Sequence, residues 1–135
     1  MELRQRMTQS WEPIFLGTDV PAPKGAYSPA VRAGDFIYVS GQVPRDPVSG
    51  ELVGDDVRSQ TRQVMANVQR ALAAAGATLA DIVSVTAYLS SSDLWTEFNE
   101  EYKSIMSAPY PTRTALGCDL RGILVEITVV AYKPR

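Results

Sequence analysis

Histidine is absent from this 135-residue chain, and cysteine occurs only once, as Cys118. Without histidine there can be no Ser-His-Asp triad, no paired-histidine ribonuclease mechanism and no histidine-bearing metal site. A single cysteine excludes an intrachain disulfide and a cysteine-rich zinc cluster. We therefore expect a reduced, intracellular protein without a metal site, in which Cys118 is a small core residue rather than a nucleophile.

The sequence also lacks long apolar runs and an excess of positive charge. No uninterrupted apolar stretch reaches the roughly 18 residues of a membrane-spanning helix. Residues 1–10 are polar, lack the apolar centre of a signal peptide, and predict an N-terminal extension. The net charge of -2 provides no basic field for nucleic acid or anionic lipid. These absences predict a cytoplasmic protein with no membrane and no nucleic-acid partner.

The remaining composition is that of an ordinary globular domain, with 45% hydrophobic and 21% charged residues. We expect one domain over residues 1–135. Hydrophobic alternation predicts strands at 14–16, 30–33, 36–40, 82–90 and 123–132, with another short strand starting near residue 113. A helical period predicts two helices, at about 55–75 and from a cap among residues 91–93 to about 106.

The side-chain patterns of three of these elements predict which faces are buried. The first helix has an apolar stripe, and its opposite face carries Arg58, Arg62, Gln63, Asn67 and Arg70. The apolar stripe of the first helix consists of Val57, Thr61, Val64, Met65, Val68 and Leu72. The apolar stripe of the second helix consists of Leu94, Trp95, Phe98, Tyr102 and Ile105. The alternation in strand 82–90 predicts one face formed by Val83, Val85, Ala87 and Leu89.

The order of these elements predicts an α+β fold, a two-layer α/β sandwich of ferredoxin-like character. One mixed sheet carries two helices on one face. No further helices are available for the second face, although the strands are apolar on both faces, and strand 123–132 is expected to be buried on both. This excess of apolar surface predicts burial against other subunits.

Two charged residues near the C-terminus are candidate catalytic residues. Glu126 places a carboxylate inside the apolar run 123–132, where an unpaired charge is costly. Arg113 begins a short strand after a proline-containing loop, where its guanidinium can hold a carboxylate or phosphate. From the residues alone, Glu126 could instead form a buried salt bridge with an arginine such as Arg32 or Arg121, and Arg113 could be an ordinary surface or interface arginine. Burial would favour the neutral form of Glu126, and a nearby Arg113 would favour the charged form.

Five short segments follow one another along the chain with intervening helices and strands. They are Gly25-Ala26-Tyr27-Ser28, Val39-Ser40-Gly41-Gln42-Val43-Pro44, Phe98-Asn99-Glu100-Glu101-Tyr102, Pro111-Thr112-Arg113-Thr114 and Val125-Glu126-Ile127. Taken in this order, they resemble the reactive-intermediate deaminase family, also called RidA or YjgF. The helix that ends at Gly76 is similar to that family as well, and the resemblance extends from about residue 22 to residue 132.

The resemblance implies a chorismate-mutase-like fold and a homotrimer with three clefts between subunits. It also implies cofactor-independent hydrolysis of small 2-imino acids and their enamine tautomers to 2-keto acids and ammonia. Such substrates include 2-aminoacrylate, 2-iminopropanoate and 2-iminobutanoate. By motif match, Arg113 binds the substrate carboxylate and Glu126 orients the attacking water. The same match implies a pocket lined by Tyr27, Ser40, Gly41 and Asn99.

One position departs from the family pattern. The residue two after the arginine is often cysteine in the family and is Ala115 here. Alanine serves equally well if this position contacts substrate through its backbone N–H, whereas a role for the thiol is lost. Cys118 does not occupy the same position.

Three other functions stay open at this point. One is a non-catalytic, chaperone-like module that binds 2-keto acids through Arg113. Another is a pathway deaminase acting on aminomuconate or aminoacrylate. The third is the endoribonuclease activity sometimes attached to the family, although the missing histidine and the acidic balance disfavour it.

Overall fold

Alternating apolar residues form six strands in the computed structural model, which describes residues 9–135. The strands are β1 (Glu12–Ile14), β2 (Ala30–Ala33), β3 (Phe36–Gln42), β4 (Ile82–Leu89), β5 (Thr112–Gly117) and β6 (Val125–Tyr132). Two helices, α1 (Val57–Ala74) and α2 (Trp95–Ile105), lie between them, and short 3₁₀ turns at Leu79–Asp81 and Ser92–Leu94 precede β4 and α2. Of the predicted N-terminal extension, residues 1–8 lie outside the described residues.

The strands form one mixed sheet in the order β1-β2-β3-β6-β4-β5. Neighbouring strands are antiparallel, except that β5 runs parallel to β4. Both helices contribute buried side chains to one core on one face of this sheet, which we call the helix face. The predicted two-layer α+β sandwich is therefore confirmed.

Helix α1 begins where the sequence predicts a cap, whereas the cap predicted for α2 serves the 3₁₀ turn before it, and α2 itself begins after Leu94 without a side-chain cap. The Asp56 carboxylate accepts a hydrogen bond from the Ser59 N–H at 2.8 Å and so satisfies a free donor of the first turn of α1. The Ser91 hydroxyl accepts from the Asp93 N–H at 3.2 Å, at the 3₁₀ turn before α2. The predicted stripe of α1 is fully buried.

Asn67 corrects the prediction for the outer face of α1. The sequence places it among solvent-facing residues, but it is buried, and its side-chain amide donates to the backbone oxygens of Val43 and Arg45, both at 2.9 Å. A buried amide is stable when such partners are available. Asn67 therefore fastens the loop after β3 to the helix, a contact between distant segments that helical periodicity does not reveal.

Three predictions for the strands and one for Cys118 also need correction. Val83, predicted to face the core, is 42% exposed because the register between β4 and β6 shifts after Ile82 and turns Ile82 inward instead. The first strand is Glu12–Ile14 rather than 14–16. Cys118 is half-buried rather than a core residue. Strand β6 is buried on the helix face only, and its other side is partly exposed.

The second face of the sheet, which we call the open face, has no helix on it. Its large apolar side chains are between 40 and 47% exposed: Phe36, Tyr38, Val83, Leu116 and Tyr132. Several large exposed apolar side chains on one face of a sheet are typical of an interface. Burial against other subunits stays a prediction. No helix among residues 9–135 has both the length and the apolar character to cross a bilayer.

Candidate functional site

Arg113 is held on the helix face by α2. It is paired in register with buried Val85, and its Nη1 donates to the Asn99 Oδ1 at 2.8 Å. Its guanidinium carbon lies 4.9 Å from the ring centre of Tyr102, and the rings of Phe98 and Trp95 also lie within 6 Å of it, at 5.8 and 5.6 Å. Such rings attract a cation and fix its plane.

The guanidinium keeps donors free for a ligand. Among residues 9–135 it forms no ion pair with a carboxylate, and its hydrogen bond to Asn99 uses one of five N–H groups. It lines a cavity of about 430 Å³ together with residues of α2 and of the segment before β5. A fixed cation facing an open cavity, with no protein anion, is suited to bind a small carboxylate.

Ala115 adds a backbone donor at the same edge of the sheet. The Cys118 N–H donates to the Leu89 oxygen at 2.8 Å, so the alternation of β5 turns the N–H groups of residues 113 and 115 away from β4. Because β5 is the edge strand, these groups meet no neighbouring strand. The replacement of a thiol by a methyl group at Ala115 thus leaves the backbone donor of that position in place.

Glu126 lies on the open face, over Gly41. It is paired in register with Tyr88, between core residues Val125 and Ile127 that point to the other side. A β-carbon at Gly41 would overlap the Glu126 carboxylate, so glycine is required for this approach. Desolvation by burial raises the pKa of Glu126, which favours a carboxyl group able to hold and return a proton.

Gly41 reaches this position through a bulge in β3. The register between β3 and β6 shifts between Val39 and Gln42, so two residues of β3 oppose one residue of β6. The neighbouring Ser40 hydroxyl donates to the Ser28 oxygen at 2.7 Å and ties the proline-rich loop to the strand. Tyr27, in that loop, is exposed and shares a cavity of about 190 Å³ with Gly41.

The structure therefore groups the expected site residues into two sets. Arg113, Asn99 and Ala115 form one set, which we call the anion set, on the helix side and edge of β5. The other set, the proton set, comprises Glu126 and Gly41 on the open face, with Ser40 and Tyr27 beside it. Within one chain the sheet separates the two sets. Arg113 and Glu126 therefore do not meet within one chain.

The two salt bridges considered for Glu126 are not found in the described part of the chain. Neither Arg32 nor Arg121 forms an ion pair with Glu126. The Arg32 guanidinium instead donates to backbone oxygens, among them that of Lys133 at 2.8 Å and that of Ala75 at 3.2 Å. The carboxylate is thus left available for another task.

Sequence reasoning missed the aromatic support of Arg113. The residues concerned appear only as a core stripe, yet Trp95 is 43% exposed and lies beside the guanidinium. The buried hydroxyl of Tyr102 finds no hydrogen-bond partner within residues 9–135, and burial is the main cause that raises its pKa. The only available signal was that the stripe shares α2 with Asn99.

Comparison with known proteins gives the family. The sequence pattern of the family described as endoribonuclease L-PSP matches residues 17–133, which is most of the chain. The chain belongs to this family. The resemblance to RidA proteins is thereby confirmed, since this family includes them.

Named relatives of this L-PSP protein carry different descriptions. A RutC family protein of Pyrococcus horikoshii is 39% identical over 122 residues, covering 89% of this chain and 97% of that protein. The 2-iminobutanoate/2-iminopropanoate deaminase of Mus musculus is 37% identical over 122 residues, covering 89% of this chain and 90% of that protein. The crystal structure of RidA from an Antarctic Psychrobacter species is 32% identical, with a TM-score of 0.82 over 90% of this chain and 98% of that one.

Proposed function

We propose that this L-PSP family protein hydrolyses small 2-imino acids and their enamine tautomers to 2-keto acids and ammonia. The observation that carries the proposal is the Arg113 guanidinium, fixed by Asn99 and three aromatic rings and facing a cavity without a protein anion. The mouse and bovine relatives named as imine deaminases support the same chemistry.

Arg113 is the residue that binds the substrate carboxylate. Its free N–H groups provide a planar fork, and charged hydrogen bonds of this kind contribute roughly 1.5–3 kcal/mol each. The outward N–H of Ala115 lies on the same edge and offers a further donor to the bound acid. Together they hold the imine carbon in one orientation, which is the main requirement for attack on an already electrophilic group.

Glu126 is the residue that transfers protons during the reaction. Water adds to the carbon of the protonated imine, the C–N bond then breaks, and ammonia leaves as the C=O bond forms, so no oxidant or reductant is needed. A carboxyl group with a raised pKa can take a proton from water and return it to the leaving nitrogen. Positioned proton transfer of this kind contributes on the order of 10²–10⁴ in rate.

The complete site is proposed to form between protomers of a homotrimer, in clefts where the anion set of one chain meets the proton set of the next. Two features support this assembly. The sheet separates the two sets within one chain, and the open face bears a broad exposed apolar surface. Association of the protomers would bury that surface and at the same time complete the catalytic site.

The test is ammonia release from freshly generated 2-aminoacrylate. We expect the wild-type protein to accelerate release over the unaided reaction, and Arg113→Ala to lose nearly all of the acceleration. Arg135→Ala is the matched control, because Arg135 is an exposed arginine paired with Glu12 and remote from the cavity. Equal rates in the presence and absence of wild-type protein would refute the deaminase and favour a module that only binds 2-keto acids.

The description of the family as an endoribonuclease gives a second candidate. RNA cleavage that persists in rigorously purified Arg113→Ala would favour it. The acidic net charge of -2 weighs against it, because RNA binding draws on a positively charged surface.

A further inference from the structure

The cavity beside Arg113 contains a second cation. It is lined by Asn99, Tyr102, Lys103, Tyr110, Pro111 and Arg113, and no acidic residue is among them. Lys103 is exposed, and among residues 9–135 it forms no ion pair. Two cations facing one cavity without a carboxylate repel each other and attract a ligand that carries more than one negative group.

The acids nearest to Lys103 along α2 are engaged elsewhere. Glu100 pairs with Arg58, and Glu101 pairs with Arg62 at 3.0 Å, both across the contact between α2 and α1. These carboxylates therefore point toward α1, whereas Lys103 lines the cavity without an acidic neighbour in it. The charge of the cavity wall is positive although α2 as a whole carries several acids.

The positions of the two cations suit a short dicarboxylate. Lys103 follows Asn99 by four residues, so the two residues lie about one helical turn apart on the same side of α2, about 6 Å along its axis. Asn99 also holds the Arg113 guanidinium, so Lys103 lies about one turn beyond the residue that positions the anion-binding fork. A four- or five-carbon dicarboxylate carries an anionic group at each end and can contact both cations.

The size of the cavity is a further observation. At about 430 Å³, the cavity is larger than a three-carbon imino acid requires.

We propose that this cavity selects 2-imino acids whose side chain ends in a second carboxylate. Arg113 binds the carboxylate next to the imine carbon, and Lys103 binds the distal one. This inference rests on the proposed imine hydrolysis and names its substrate class. The reaction is unchanged: water replaces the imine nitrogen, ammonia leaves, and the product is a 2-keto dicarboxylate.

The experiment compares two imines made in the assay by flavin amino-acid oxidases, 2-iminosuccinate from aspartate and 2-iminopropanoate from alanine. Catalase removes peroxide, and semicarbazide traps the imine that has not been hydrolysed. We expect wild-type kcat/KM to be about tenfold higher for 2-iminosuccinate, the effect of one charged hydrogen bond of ~1.4 kcal/mol. Lys103→Met should abolish that preference and leave 2-iminopropanoate within about twofold of wild type.

Lys133→Met is the matched control, since it removes the same charge at an exposed lysine on another part of the surface. Hydrolysis of 2-iminopropanoate without preference for 2-iminosuccinate would overturn this inference and leave the proposed function standing. An equal loss for both imines in Lys103→Met would overturn it as well. Hydrolysis of neither imine by wild-type protein would refute the proposed function and this inference together.

Discussion

A mixture of two inactive variants should regain activity if the site forms between chains. Arg113→Ala removes the anion anchor, and the loss of two charged hydrogen bonds predicts a fall in kcat/KM of roughly 10²–10⁴-fold. Glu126→Gln removes the proton carrier and predicts a loss of similar size. Because the two residues lie on opposite faces of the sheet, each variant retains one of the two intact sets.

The expected recovery follows from random assortment. A working site needs the anion set of a Glu126→Gln chain beside the proton set of an Arg113→Ala chain. In an equal mixture each condition is met by half of the chains, so about one quarter of the sites are intact, whatever the size of a cyclic oligomer. Recovered activity of about 25% is far above the residual activity of either variant.

The assay is ammonia release after co-expression of the two variants with different affinity tags. Pairing Arg113→Ala with the double variant Arg113→Ala/Glu126→Gln is the control, since no combination of these chains contains Arg113. Mixed oligomers recovered through both tags but no more active than the parent variants would refute assembly between chains. A site shared within one chain would give that result.

Four further predictions follow from single contacts. Arg113→Lys should lose most activity in the ammonia assay, because an ammonium lacks the planar fork; near-normal turnover would contradict this role. Gly41→Ala should stay folded by circular dichroism but lose activity, because its β-carbon displaces the Glu126 carboxylate; full activity would show that the contact is unimportant. Asn67→Ala should cost about 1–3 kcal/mol in urea denaturation, with exposed Gln69→Ala as a silent control. Burial makes folded Glu126 hold its proton more tightly, so its contribution to stability falls as pH rises through its raised pKa. In an Arg113→Ala background, Glu126→Gln should therefore raise Tm more at pH 7 than near pH 4. An equal rise of Tm at both pH values would contradict this.

The sequence predicts helices and strands well where a single hydrophobic periodicity extends over the whole segment. Helix α1 covers the residues predicted from its apolar stripe and begins after the predicted cap Asp56. Most strands of the sheet are predicted from their alternation of apolar and polar residues. The errors occur where one residue interrupts a period. The register shift after Ile82 turns Val83 outward, and a buried amide at Asn67 takes a place that polarity assigns to solvent. Both depend on partners more than 20 residues away.

The candidate site shows the same limit. Sequence motifs point to Arg113 and Glu126, but the face on which each side chain lies depends on strand register, and that register is set by pairing with β4. The need for glycine at position 41 likewise becomes visible only when the Glu126 carboxylate is seen over it. Residue types were thus readable from the chain, whereas their relative positions required the fold.

The proposed association between chains would account for both the exposed apolar face and the divided site. Exposed apolar side chains on one face of a sheet are typical of an interface, and here that face also carries Glu126. Among the described residues only desolvation shifts the pKa of this carboxyl group, and it raises the pKa. A guanidinium arriving from a neighbouring chain would act in the opposite direction and lower that pKa. The proposed association would therefore bury apolar surface, complete the anion-binding pocket and tune the proton carrier in a single step.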